Sequence, residues 1–98
     1  MGMAGRRIMY QRETTVRNET GLHARPASQF VKLAKKFESK IAITNLNSLK
    51  TGDAKSIVKV MVLSIKNGTP VRIDAQGQDE EEAVDALVDV IDSGFDGM

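Results

Sequence analysis

The sequence predicts a small α+β domain in which helices cover one face of an antiparallel β-sheet. The 98-residue chain contains four segments with strand-like patterns, two with clear helical periodicity and one shorter helical candidate. They follow in the order β-α-β-β-α-β-α. Each predicted helix has an apolar stripe, and three helices on the same side of the sheet bury all of these stripes.

The first strand is predicted over residues 9–17 and ends in a turn at residues 18–21. The helix that follows has apolar residues every three or four positions and lysines on its other side. The apolar positions are Ala27, Phe30, Val31, Ala34 and Phe37. Pro26 has no N–H and fits only in the first turn of a helix. The helix is therefore expected to begin at or just after His23.

The middle of the chain has weaker signals. Strands are predicted over residues 40–44 and 49–51, separated by turn residues. The apolar, β-branched run at residues 56–63 suits a buried strand as well as a helix, and we interpret it as a short helix. Its N-cap is expected at Asp53 or Ser56, and Asn67-Gly68 is expected to terminate it.

The last two elements have clearer patterns. Residues 70–76 alternate between apolar and polar side chains, which is typical of a strand with one buried face. Acidic residues at 79–82 favour a helix N-terminus, and the helix is expected to end at Gly94. Its predicted buried stripe consists of Ala83, Leu87, Val90 and Ile91.

Composition excludes several classes of function. The chain has no cysteine and one histidine, so it has no disulfides, no thiolate nucleophile and too few soft ligands for a zinc site. No metal or other cofactor is expected. No apolar run approaches the length of a membrane span, and residues 1–8 lack the apolar stretch of a signal peptide. We expect a cytoplasmic protein with a disordered extension at residues 1–8 and one domain at residues 9–98.

Charge is distributed unevenly along the chain. Residues 1–49 carry 9 Lys and Arg against 3 Asp and Glu, whereas residues 50–98 carry 5 against 10. A basic face could bind nucleic acid, but a net charge of +1 and only one Tyr and three Phe argue against such a binder. The basic half is better suited to steering acidic partner proteins.

His23 is the candidate reactive residue. It lies at the predicted start of a helix, where unpaired backbone N–H groups and the positive end of the helix dipole stabilise anions. A neutral imidazole can attack a phosphoryl group and later release it, and Arg25 offers donors for phosphate oxygens. The alternative is that His23 is an ordinary cap or surface residue.

Two motifs together resemble the HPr family, the histidine-containing phosphocarriers of the bacterial phosphoenolpyruvate-dependent phosphotransferase system. Residues 21–27 (Gly-Leu-His-Ala-Arg-Pro-Ala) look like its phosphorylation motif. Residues 54–57 (Ala-Lys-Ser-Ile), followed by Val60-Met61, resemble its regulatory serine segment. The resemblance runs from Met9 to about Ile91 and implies an open-faced β-sandwich of four antiparallel strands with three helices on one side.

The resemblance also implies roles for individual residues. His23 would accept a phosphoryl group on Nδ1 from Enzyme I and pass it to an EIIA-type protein. Arg25 and the backbone N–H of Ala24 would hold the phosphoryl oxygens. Ser56 would be the target of an HPr kinase/phosphorylase; the alternative is that it serves only as an N-cap. An apolar docking patch, or else ordinary core packing, is expected of Ile57, Val58 and Met61.

Three features depart from the family pattern. Lys59 stands where kinase-regulated relatives often have glycine, and the turn at residues 45–52 is longer than in relatives of the sugar pathway. The tail at residues 92–96 resembles that of the nitrogen-branch carrier. The sequence therefore leaves two functions open: a carrier in sugar transport, or a mainly regulatory binding module. A monomer is expected for a carrier that exchanges partners quickly.

Overall fold

The structure is a computed structural model that describes residues 9–96, so the expected extension at residues 1–8 lies outside the described residues. The strands are β1 (Tyr10–Thr15), β2 (Lys40–Asn45), β3 (Lys50–Asp53) and β4 (Pro70–Gln76), and the helices are α1 (Ala24–Ala34), α2 (Ile57–Met61) and α3 (Glu80–Asp92). This is the predicted order. It confirms the α+β class with a four-stranded antiparallel sheet and three helices.

The sheet has the strand order β1-β4-β2-β3, so β4 lies between β1 and β2. Thr14 pairs with Val71 on one side of β4, and Ile43 pairs with Ile73 on the other. The alternation predicted for β4 is present, because Val71, Ile73 and Ala75 are buried while the residues between them are not. The buried face of β4 therefore carries the core, and the opposite face is open.

The helices complete the core from one side. The stripe of α1 is buried as predicted at Ala27, Phe30, Val31 and Ala34. The helix ends at Ala34 rather than continuing through Phe37, which packs against the core from the turn that follows. The stripe predicted for α3 is also buried, together with Val84 and Val88. Gly94 follows α3 with φ 70, which fits the predicted helix end.

The predicted end of α2 is wrong. The helix stops at Met61, six residues before Asn67, and Gly68 (φ 93) belongs to the turn that leads into β4. The carbonyl groups of Leu63 and Ile65 accept hydrogen bonds from distant residues rather than from a continuing helix. The long-range hydrogen bonds of this segment, rather than the local Asn67-Gly68 signal, therefore determine where the helix ends.

Polar side chains connect the helices to the rest of the fold. The hydroxyl of Tyr10 and the guanidinium of Arg12 both donate to the carboxylate of Asp85, each at 3.0 Å, which connects edge strand β1 to α3. The hydrogen bond to Asp85 raises the pKa of Tyr10. Asp79 accepts hydrogen bonds from the Ser39 hydroxyl and from the backbone N–H of Glu38 and Ser39. These bonds lower the pKa of Asp79 and fix the start of α3 against the turn before β2.

No helix within residues 9–96 combines the length and the apolar character that crossing a bilayer requires.

Candidate functional site

His23 is the N-cap residue of α1. Its backbone is extended (φ −140°, ψ 153°), its side chain is exposed, and that side chain makes no capping hydrogen bond. The helix therefore begins where Pro26 predicted, with Pro26 in its first turn. The imidazole is not used to cap the helix, and its exposure makes it accessible to another molecule.

The start of α1 provides donors next to this imidazole. Ala24 and Arg25 are the first helical residues, and N–H groups at these positions have no intrahelical acceptor. Both residues are exposed. Within residues 9–96, the guanidinium of Arg25 takes part in no ion pair. The end of the helix therefore offers two N–H groups and a free guanidinium to an anion at His23.

The loop that leads to His23 (residues 16–23, the His23 loop) is held against the segment that joins α2 to β4 (residues 62–69, the α2–β4 segment). The N–H of Leu22 donates to the carbonyl oxygen of Ile65 at 2.9 Å. Gly21 has φ 66, and a Cβ there would lie 2.3 Å from the same oxygen and 2.7 Å from Cα of Lys66. Only glycine fits this close backbone contact without a shift. The loop and the α2–β4 segment are therefore one packed unit.

A shallow depression lies beside His23 and is formed by both sides of this unit. It is lined by Thr20 from the His23 loop, by Met61 at the end of α2, and by Ser64 and Lys66 from the α2–β4 segment. Ser64 has φ 54, a left-handed conformation that non-glycine residues rarely adopt. Thr20, Ser64 and Lys66 thus line the same depression as His23, a set of residues that the sequence motifs did not indicate.

Ala24 shares the left-handed conformation, with φ 53 at the first helical position. A residue with a Cβ is strained there by about 1–2 kcal/mol relative to the right-handed form. The intrinsic conformational preference of alanine therefore does not determine the backbone conformation at Ala24. The contacts of the loop on one side and of the packed helix on the other hold it in place.

Helix α2 presents apolar side chains to solvent. Val60 is fully buried, whereas Val58 and Val62 are each 67% exposed on the opposite side of the helix. Ile57 is 39% exposed and Met61 is half-buried. Of the three residues predicted to form either a docking patch or part of the core, Ile57 and Val58 are therefore exposed rather than core residues. Val62 was not among the predicted patch residues, although it lies four residues after Val58 and on the same side of the helix.

Ser56 is the N-cap of α2, which decides between the two predicted caps. Its hydroxyl oxygen accepts a hydrogen bond from the N–H of Lys59 at 3.3 Å, and the residue is half-buried. The serine therefore has a structural role in starting the helix.

Leu49, which is 73% exposed at the β2–β3 hairpin, lies off α2 and was not predicted as a surface residue.

A second depression lies against the open face of the sheet and includes Ala42, Asp53 and Asp74 in its lining. Burial raises the pKa of Asp74, while the charge of Arg72 acts in the opposite direction. This second depression lies away from His23, and no histidine lines it. Among the described residues, no group of His, Asp or Glu side chains could hold a metal ion. The His23 depression is therefore the candidate site.

Comparison with known proteins assigns the family. The model of the family described as "PTS HPr component phosphorylation site" matches residues 10–93. The chain belongs to the HPr family. This is the family that the two motifs together indicated.

The related proteins are either similar in length to this chain or much longer. The phosphocarrier protein HPr of Haemophilus influenzae is 43% identical over 83 residues, which are 85% of this chain and 95% of that protein. The multiphosphoryl transfer protein of Salmonella typhimurium is 45% identical over 84 residues, but these are only 22% of its length. The chain thus spans about a fifth of the multiphosphoryl transfer proteins. The phosphocarrier protein NPr of Proteus mirabilis is 34% identical and is covered over 93% of its length.

Solved structures agree with the fold. The crystal structure of HPr-C-His from Thermoanaerobacter tengcongensis matches with a TM-score of 0.85 and 46% identity, over 92% of this chain and 99% of that one. A dimer of HPr from the same organism matches with a TM-score of 0.70 and 48% identity, over 84% of this chain and 92% of that one.

The contact at Gly21 leads to a test of how the loop is held. Gly21→Ala should destabilise the protein by about 2 kcal/mol or more, because it adds a backbone clash to the strain of a positive φ. Gly94→Ala is the matched control, since Gly94 has φ 70 with open space around it and should lose only about 1 kcal/mol. Urea unfolding measures both. Equal losses in the two variants would contradict the packed contact.

Proposed function

We propose that His23 is the phosphoryl acceptor of this carrier, receiving the group from phospho-Enzyme I and passing it to an EIIA-type protein. The observation that supports this most strongly is the exposed imidazole at the N-cap of α1, whose side chain makes no capping hydrogen bond. An ordinary capping residue would use its side chain in the helix. Membership of the HPr family supplies the direction of transfer.

The chemistry needs little more than position and charge. The lone pair of Nδ1 forms a bond to phosphorus while the P–N bond of the donor phosphohistidine breaks, and that electron pair returns to the donor imidazole. The guanidinium of Arg25 and the N–H groups of Ala24 and Arg25 stabilise the negative oxygens during transfer. This chain is therefore a carrier with a phosphohistidine intermediate rather than a free-standing enzyme, and it needs no cofactor.

Exposure of His23 has a functional reason. Two histidines on different proteins must approach the same phosphorus from opposite sides, so neither can lie in a deep pocket. We assign partner docking to α2 and its C-cap residue, next to the site. The side chains are those of Ile57, Val58 and Val62, which are exposed, and of Met61, which is half-buried. Apolar side chains that face solvent on a short helix are typical of an interaction surface. Lys32 and Lys59 carry positive charge near this surface and favour acidic partners.

The setting of the reaction follows from the same proposal. A carrier that serves Enzyme I works in the cytoplasm, and rapid exchange between donor and acceptor favours a monomer. The near-neutral net charge and the scarcity of aromatic residues offer no surface for nucleic acid. The 34% identity to NPr supports the alternative in which the acceptor is regulatory and the chain has no role in sugar transport.

Regulation is assigned to Ser56. A phosphoryl group there adds about −1.5 to −2 charges at the start of α2, next to the docking side chains Ile57 and Val58. An acidic partner would then be repelled. The hydrogen bond from the Lys59 N–H shows that the serine also caps the helix, so modification would alter both the cap and the surface charge.

Labelling tests the central proposal. Incubation with Enzyme I and phosphoenolpyruvate should give an acid-labile, base-stable phosphate, and His23→Ala should abolish it. Arg25→Ala should lower the transfer rate about a hundredfold while leaving the fold intact, because its side chain is exposed. Rapid-quench labelling measures the rate and circular dichroism checks the fold. Unchanged labelling of His23→Ala would reject the assignment.

Docking through α2 is tested by Val58→Ser. The Michaelis constant for transfer from Enzyme I should rise roughly fivefold, since truncating an interface residue typically costs about 1 kcal/mol. Stability should hardly change at a side chain that is 67% exposed. Leu49→Ser is the matched control, because Leu49 is also exposed but lies off α2. An equal rise in both variants would show that the effect is not specific to α2.

Modification of Ser56 is tested with the HPr kinase of the same organism and ATP. The expected product is an acid-stable phosphate that is absent from Ser56→Ala, and the modified protein should accept phosphoryl groups from Enzyme I more slowly. Mass spectrometry of the digested protein locates the phosphate. Failure of the cognate kinase to modify Ser56 would remove the regulatory assignment and leave the serine as a helix cap.

A further inference from the structure

Lys66, a residue that neither sequence motif includes, lines the depression beside His23. It lies there together with His23, although the two residues are far apart in sequence. The motif at residues 21–27 accounts for the histidine and the arginine of the site, but it does not account for a lysine in this lining.

The backbone of Lys66 is fixed relative to His23. Its Cα lies close to Gly21, where an added Cβ would come within 2.7 Å of it. The residue before it accepts the hydrogen bond from Leu22, the immediate neighbour of His23. The N–H of Lys66 itself donates to the hydroxyl of Thr69 at 3.0 Å. These contacts fix the backbone and the Cα of Lys66 at the edge of the site.

The ammonium group of Lys66 is free to bind an anion. Within residues 9–96 the lysine takes part in no ion pair, and its side chain is exposed. By contrast, the ammonium of Lys55 donates to the carbonyl oxygen of Phe37 at 2.7 Å and is committed to the fold. A flexible four-carbon stem lets the charge of Lys66 follow a phosphoryl group that arrives at His23.

We infer that Lys66 is a second cation of the phosphoryl site, whose ammonium group contacts the phosphoryl oxygens on the side opposite the start of α1. This inference rests on the proposed function of His23. As the Nδ1–phosphorus bond forms and the donor P–N bond breaks, negative charge on the three oxygens is shared between Arg25 and Lys66. No proton is transferred to or from the lysine, which remains an ammonium throughout.

A phosphorus NMR titration of the isolated phosphorylated protein tests this contact without any partner present. A nearby cation favours the doubly ionised phosphoryl group, so Lys66→Met should raise the pKa of that group relative to the unsubstituted protein. Lys66→Arg should restore the original value. The shift should shrink as salt is added, because the site is exposed.

Kinetics provide the second measurement. Lys66→Met should lower kcat for transfer about fivefold to tenfold, as expected for one exposed charge-assisted contact in the transition state. Lys59→Met is the matched control: Lys59 is exposed on α2 but does not line the depression. It should change only the Michaelis constant and leave the phosphoryl pKa unaltered.

The outcomes separate the two proposals. If the unsubstituted protein is not labelled at His23, the proposed function itself is wrong. If it is labelled normally but Lys66→Met keeps both the phosphoryl pKa and kcat, only the role of Lys66 is overturned. A raised Michaelis constant with unchanged kcat would assign Lys66 to partner docking and would also overturn the inference.

Discussion

The backbone contact between the His23 loop and the α2–β4 segment is the constraint on which the site depends. The hydrogen bond from Leu22 N–H to the Ile65 carbonyl and the missing Cβ of Gly21 bring two distant parts of the chain together, and backbone hydrogen bonds of Val16 with Gly68 and Thr69 support the contact. One part supplies the histidine and the start of α1. The other supplies α2 and Lys66. Without this contact the chain would have a nucleophile at a helix end but no shaped surface around it.

Charge is divided between two tasks in this fold. Several acidic groups stabilise the structure: Asp85 binds β1, and Asp79 holds the turn before β2. Their counterparts at the site end, Arg25 and Lys66, remain unpaired among the described residues. The lowered pKa of Asp79 means that its contacts are complete above about pH 4 and are lost as the pH falls below that range.

The sequence predicted those parts of the fold that depend on local rules. Pro26 located the start of α1 because a residue without an N–H is restricted to the first turn, and strict alternation located β4 at residues 70–76. Non-local contacts limited the rest. The end of α2 was wrong because Leu63 and Ile65 give their carbonyl groups to Asn45 and Leu22, which no local pattern reveals.

The same division holds for the candidate site. Motif positions gave His23, Ala24, Arg25 and Ser56, because each is recognisable from its neighbours in sequence. Lys66 was not found, since its relation to His23 exists only after the loop and the α2–β4 segment pack together. Val62 lay within reach of sequence reasoning, but a run of apolar residues does not show which side faces solvent until the buried position, Val60, is known.

A shallow site also suits a carrier for energetic reasons. A phosphoryl group that is bound too strongly at His23 would be slow to leave for the acceptor, so stabilisation of the phosphorylated state must stay moderate. An exposed helix N-terminus contributes only about 0.3–1 kcal/mol toward an anion, and exposed cations are weakened by solvent. Water-exposed donors at His23 thus provide orientation and charge without creating a deep energy minimum. The open depression is a requirement of reversible transfer rather than an incomplete active site.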